Sequence, residues 1–125
     1  DANKRKLTYA GANNVALVKR NEELIELEPD KMPISIFRDI QIPFKLKEVE
    51  TQPGDMLYMF SDGYTDQFGG TKGKKFKTVN FRKLISTLPQ NDVEAQEHIV
   101  VERFKSWKGN TDQIDDVLVV GVKLV

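Results

Sequence analysis

The chain has no cysteine, and histidine and tryptophan occur once each, at His98 and Trp107. Without thiols there is neither a disulfide framework nor a thiolate metal site, which fits a reducing, cytoplasmic setting. One histidine cannot build the clusters that zinc and copper sites draw on. Charge of one sign is lacking too, since 19 Lys and Arg balance 19 Asp and Glu. The chain therefore has no global field to attract nucleic acid or an anionic membrane, and neither is expected as a partner. No apolar run approaches the roughly 20 residues of a membrane span, and no signal-peptide pattern is visible. The opening Asp1-Ala2-Asn3 carries no initiator methionine, which points to an excised piece of a longer chain.

What is present suits one domain, or part of one: 125 residues, 39% hydrophobic and 30% charged. A chain of this length buries roughly two-thirds of its unfolded surface on folding. The first third reads as a β-meander, with strands over 6–10, 15–19 and 24–27 separated by Gly11-Ala12-Asn13-Asn14 and by Arg20 to Glu23. Residues 29–43 hold three prolines and two apolar clusters, and read as a partly buried loop crossing the domain. Phe44 to Thr51 alternates like an outer strand, and Gln52-Pro53-Gly54-Asp55 is a turn. Met56 to Ser61 is a core-type strand. After it the period changes. Apolar residues at 79, 81, 84, 85 and 88 mark a helix that Pro89 ends, and a second runs from the cap Asp92 to Gly109. Val117 to Val125 (VLVVGVKLV) reads as a central strand buried on both faces. Strands, two helices, then a strand make an α+β fold with helices on an antiparallel sheet.

Two core-type strands carry acids at their ends. Met56–Ser61 runs into Asp62, and Val117–Val125 follows Asp115-Asp116. If the strands pair antiparallel, Asp62 and Asp115 meet at one rim of the sheet. Converging carboxylates repel and call for a cation or raised pKa values. Oxygen ligands alone suit Mg²⁺, Mn²⁺ or Ca²⁺, and a pair of such ions can activate water and clamp a phosphoryl group. The plain alternative is that Asp-Gly is a common turn dipeptide and acids at strand ends are ordinary turn formers.

Two stretches carry a resemblance: "FSDGYTDQFGG", and "DQIDDVLVVGVKL" about fifty residues later. With "LTYAGANNVALV" and "LEPDKMPISIF" before them, they resemble the bacterial sporulation-stage-II-E type of protein phosphatase, a branch of the protein phosphatase 2C superfamily. The resemblance implies an αββα sandwich with a dimetal site at one edge of its sheets. It implies hydrolysis of phosphoserine or phosphothreonine by a water activated between two Mn²⁺ or Mg²⁺ ions. It makes Asp62 and Asp115 metal ligands, with Asp116 as an extra or outer ligand. The substrate it implies is a signalling phosphoprotein, such as an antagonist of an anti-sigma factor. The family's earlier Asp and its Gly-Asp-x-x-Gly-His-Gly-like motif do not occur here. Residues 1–125 are therefore expected to be the C-terminal part of one such domain, binding metal weakly and inactive alone. The rival reading is a non-catalytic regulatory or interaction module that keeps the fold. Exposed half-sheets favour self-association, so a homodimer is expected.

Other features are weighed beside these. "GGTKGKKF" lacks the phosphate-loop spacing, but Lys72 in this basic loop stands where it would steer a phosphorylated substrate, unless the loop is a solvated one. Asp66 reads either as an outer partner of Asp62 or as a cap at the loop entrance. The resemblance puts Asn13 and Asn14 beside the substrate. His98 reads as surface, and Val100, Phe104 and Trp107 as a core-packing stripe. Gly63 is expected to let the chain turn away from Asp62 without crowding a cation.

Overall fold

The computed structural model describes residues 5–11, 14–29 and 45–125. Its centre is a four-stranded antiparallel sheet. Val18 and its neighbours form β2 (Ala16–Arg20), which pairs with β3 (Glu23–Leu27) across a tight turn where Asn21 takes a φ of 53°. On its other side β2 pairs with β5 (Met56–Phe60), and β5 pairs with β8 (Val119–Lys123), giving the order β3-β2-β5-β8. The alternation along β5 decides its two faces. Met56 and Tyr58 point into one core with Leu17, whereas Leu57 joins Ala16, Val18 and Leu27 in the other.

The first core lies under the helices. Thr78–Thr87 forms α2, burying Phe81 and Ile85, and Val93–Lys108 forms α3, burying Gln96 and Val100. Asp92 caps α3 by accepting the Ala95 N–H at 2.9 Å, and the chain leaves the helix at Gly109 with a φ of 53°. Two tyrosines pin α3 down. The Tyr58 hydroxyl donates to Gln96 Oε1 at 2.9 Å, and the Tyr64 hydroxyl donates to the Val100 carbonyl at 2.8 Å. Burial pushes the Tyr58 phenol up to about 12, so both hydrogen bonds are made by neutral hydroxyls at ordinary pH. Buried Lys19 donates to the Leu88 carbonyl just past α2, and burial lowers its pKa. The second core is covered by a separate ladder of β1 (Lys6–Tyr9) and β4 (Lys47–Glu50), through Leu7, Tyr9 and Val49. A third pair, β6 (Phe68–Gly69) with β7 (Lys74–Lys75), follows the short α1 (Asp62–Thr65). The layers run helix, sheet, ladder, in agreement with the expected α+β architecture.

Two expectations are corrected. β1 is not part of a meander with β2; it pairs with β4, with Leu7 opposite Val49. Alternation identifies a strand but says nothing of which strand it joins. The last strand is not central either. β8 stands at the edge of the four-stranded sheet, with Leu118 and Val122 exposed. The loop read over 29–43 lies, apart from Pro29, outside the described residues.

Candidate functional site

Three passages of chain end at one rim of the central sheet. β2 begins at Ala16, opposite Met59 near the end of β5, and β8 begins at Val119, opposite Phe60. Asn14, Ser61-Asp62 and Asp115 to Val117 consequently share that rim. Ser61 clasps the last two together. Its N–H donates to the Leu118 carbonyl at 2.9 Å, and its hydroxyl donates to the Asp116 carbonyl at 3.0 Å while accepting the Leu118 N–H at 3.0 Å. The close approach continues at Gly63. A Cβ there would stand 2.1 Å from the Asp116 carbonyl oxygen, so no larger residue fits. The glycine is required by the facing backbone, which differs from the expected reason of leaving room for a cation.

Asp62 opens α1 and is exposed, as are Asp115 and Asp116. The Asp66 N–H donates to the Asp62 carbonyl at 2.8 Å, so one helical turn separates these acids. The Asp66 carboxylate is held by Lys75 at 3.2 Å, which binds it to the β6–β7 hairpin. Asp115 Oδ1 accepts the Asp116 N–H at 2.7 Å, and Gln113 Nε2 donates to the Asp115 carbonyl at 3.0 Å. Asn14 is exposed at the same rim, its carbonyl accepting the Tyr9 hydroxyl. Asn13 lies outside the described residues. Lys72 stands exposed in the turn between β6 and β7. His98 is exposed, and the Val100, Phe104 and Trp107 stripe packs into the core as expected.

One residue escaped the sequence reading. Gln67, directly after Asp66, is fully buried. Its Nε2 donates to the Phe68 carbonyl and to the Asp112 carbonyl, each at 2.9 Å, and its own carbonyl accepts the Trp107 indole N–H at 2.9 Å. Its Oε1 is buried with no hydrogen-bond partner among the described residues. A single glutamine in a polar stretch gives no periodic or motif signal by which to find it.

Carboxylate oxygens fit a hard divalent cation in their chemistry. They fall short in number. Among the described residues, no three His, Cys, Asp or Glu side chains group closely enough to hold a metal ion. Asp62, Asp115 and Asp116 share a rim without closing into a complete ligand set among the described residues.

Curated proteins gave no match. Among solved structures, the chain is similar to the SiaA-PP2C domain of Pseudomonas aeruginosa, with 26% identity and a TM-score of 0.85, covering 96% of this chain and 47% of that one. It is similar in fold to the phosphatase domain of the cell fate determinant SpoIIE from Bacillus subtilis, at 15% identity and a TM-score of 0.70, covering 99% of this chain and 54% of that one. A manganese-presoaked form of that domain matches at 19% identity and a TM-score of 0.63, covering 95% and 50%. This chain thus spans about half the length of the solved chains it matches. The family model for stage II sporulation protein E matches residues 1–125, and the chain belongs to that family.

Proposed function

We propose that this chain supplies part of the active site of a metal-dependent protein serine/threonine phosphatase, with Asp62 and Asp115 as metal ligands and Asp116 beside them. The observation that carries the reading is the β5–β8 register, which sets Phe60 opposite Val119 and so brings both acid-bearing ends to one rim. Bound Mn²⁺ or Mg²⁺, two ions in the complete site, would supply a nucleophilic water at neutral pH. The chain's own work is to hold carboxylates on a rigid sheet, clasped by Ser61 and kept close by Gly63. The substrate class is a phosphoserine or phosphothreonine protein, of the kind that antagonises an anti-sigma factor. Asn13, Asn14 and Lys72 are proposed to flank it, in a cytoplasmic, signalling setting. Among the described residues no helix is long and apolar enough to cross a membrane. Self-association through the exposed edge of the sheet belongs to the same proposal.

The test is calorimetric titration with Mn²⁺ together with phosphate release from p-nitrophenyl phosphate. The phosphatase that contains this segment is expected to bind Mn²⁺ and turn over, and Asp62→Asn to abolish both. The 125-residue chain alone is expected to release no phosphate. Robust turnover by that chain, lost in Asp62→Asn, would overturn the partial-site reading. Absence of Mn²⁺ binding by the longer protein would favour a non-catalytic interaction module instead.

A further inference from the structure

The seven residues from Ser61 to Gln67 hold the second acid-bearing segment at both of its ends. At one end Ser61 takes the Asp116 carbonyl and the Leu118 N–H. At the other, Gln67 Nε2 reaches 45 residues ahead to the Asp112 carbonyl. Between these anchors, the side-chain hydrogen bonds of Gln113 and Asp115 among the described residues are local: Gln113 donates to the Asp115 carbonyl and Asp115 accepts the Asp116 N–H. Asp112 and Asp116 are exposed, so the segment has little apolar burial of its own to fix it.

Gln67 is unusual as an anchor. It spends a fully buried amide on two backbone carbonyls and leaves its Oε1 without a partner among the described residues. An unpaired buried polar atom is costly, and an apolar side chain of the same size would remove that cost. Packing alone therefore does not account for a glutamine here. What an apolar residue cannot do is hold the Asp112 carbonyl. The backbone of Gln67 is itself locked, its carbonyl accepting the Trp107 N–H at 2.9 Å and the Phe76 N–H at 3.0 Å, so its side chain works from a fixed base.

We propose that Gln67 is a positioning residue that sets where Asp115 and Asp116 stand relative to Asp62. This rests on the reading of those acids as one metal site. The device is economical in sequence: the peptide that carries the first acid also carries the side chain that places the second.

The test compares Gln67→Met, which keeps the volume and loses both donations, with the parent. Amide hydrogen exchange is followed at residues 110–118 and in β2 and β5. Loss of the anchor is expected to speed exchange over 110–118 about tenfold while the β2 and β5 amides keep parental rates. Should Gln67→Met fail to fold, Gln67→Asn, which keeps the amide but shortens its reach, is expected to give the same local opening. In the longer phosphatase, Gln67→Met is expected to weaken Mn²⁺ binding measured by calorimetry, whereas Asp62→Ala abolishes it. Parental exchange over 110–118, or exchange that rises equally throughout the sheet, would overturn the proposal. Faster local exchange with unchanged Mn²⁺ affinity would overturn it as well. If Asp62→Ala leaves Mn²⁺ binding intact, it is the metal reading that fails.

Discussion

A Cβ on Gly63 would press within 2.1 Å of the Asp116 carbonyl oxygen and 2.8 Å of its carbon, and these are backbone atoms with no flexible side-chain end to yield. Gly63→Ala is expected to destabilise the chain by about 2 kcal/mol through overpacking, read from the shift of the urea midpoint. It is also expected to weaken the Ser61 clasp, because the Asp116 carbonyl is the acceptor of that hydroxyl. An unchanged midpoint would mean that the two segments separate freely. At this scale the candidate site was legible in part. The meeting of Asp62 and Asp115 at one rim could be read because each sits where an apolar run meets an acid, a pattern that survives in one dimension. Gln67 could not, because its role depends on a carbonyl 45 positions away and on burial that a lone polar residue does not announce.

At the scale of elements, the end of β2 is tied to the turn before β5 by one ion pair. Arg20 donates to Asp55 through Nε at 3.0 Å and through a terminal nitrogen at 2.7 Å, and the same nitrogen donates to the Glu50 carbonyl at 2.9 Å. Asp55 is 2% exposed. Hydrogen bonding to the Arg20 guanidinium holds its carboxyl below the usual aspartate range against the opposing pull of burial, and the Gln52 N–H adds to the effect. A depressed folded pKa means that this contribution is complete above the ordinary value near about 3.9 and drains away as pH falls through the lower folded value. Asp55→Asn is expected to cost about 3 kcal/mol at neutral pH, and to shrink the loss of stability on going from pH 5 to pH 2, in urea titrations across that range. Equal acid sensitivity in both proteins would assign it to other carboxylates. Element identity was largely readable: β5, α2 and α3 lie close to where apolar period and caps put them. Element partners were less so. VLVVGVKLV has the composition of a doubly buried strand yet stands at a sheet edge, because composition records apolar surface without recording what covers it.

For the whole molecule, that uncovered surface is the dominant fact. Val93 and Val101 of α3 and Leu118 beside β8 line an open groove of roughly 800 Å³, and Val122 is exposed further along β8. Among the described residues no strand lies against the outer side of β8. The isolated chain is accordingly expected to associate with rising concentration in sedimentation velocity, and Val122→Lys, which puts a charge on the edge, to weaken that association. A monomer at every concentration would count against it. The β5–β8 pairing has one more outcome, for how such a chain tolerates editing. The stretch between the two strands can lengthen at the exposed Lys72 turn without moving either acid, since the rim is fixed by register and not by the path between. A single residue added between Asp116 and Val119 would instead slip the pairing and turn β8 over. In an insertion scan, the Lys72 turn should accept a grafted peptide, and the two-residue approach to β8, Val117-Leu118, should accept nothing.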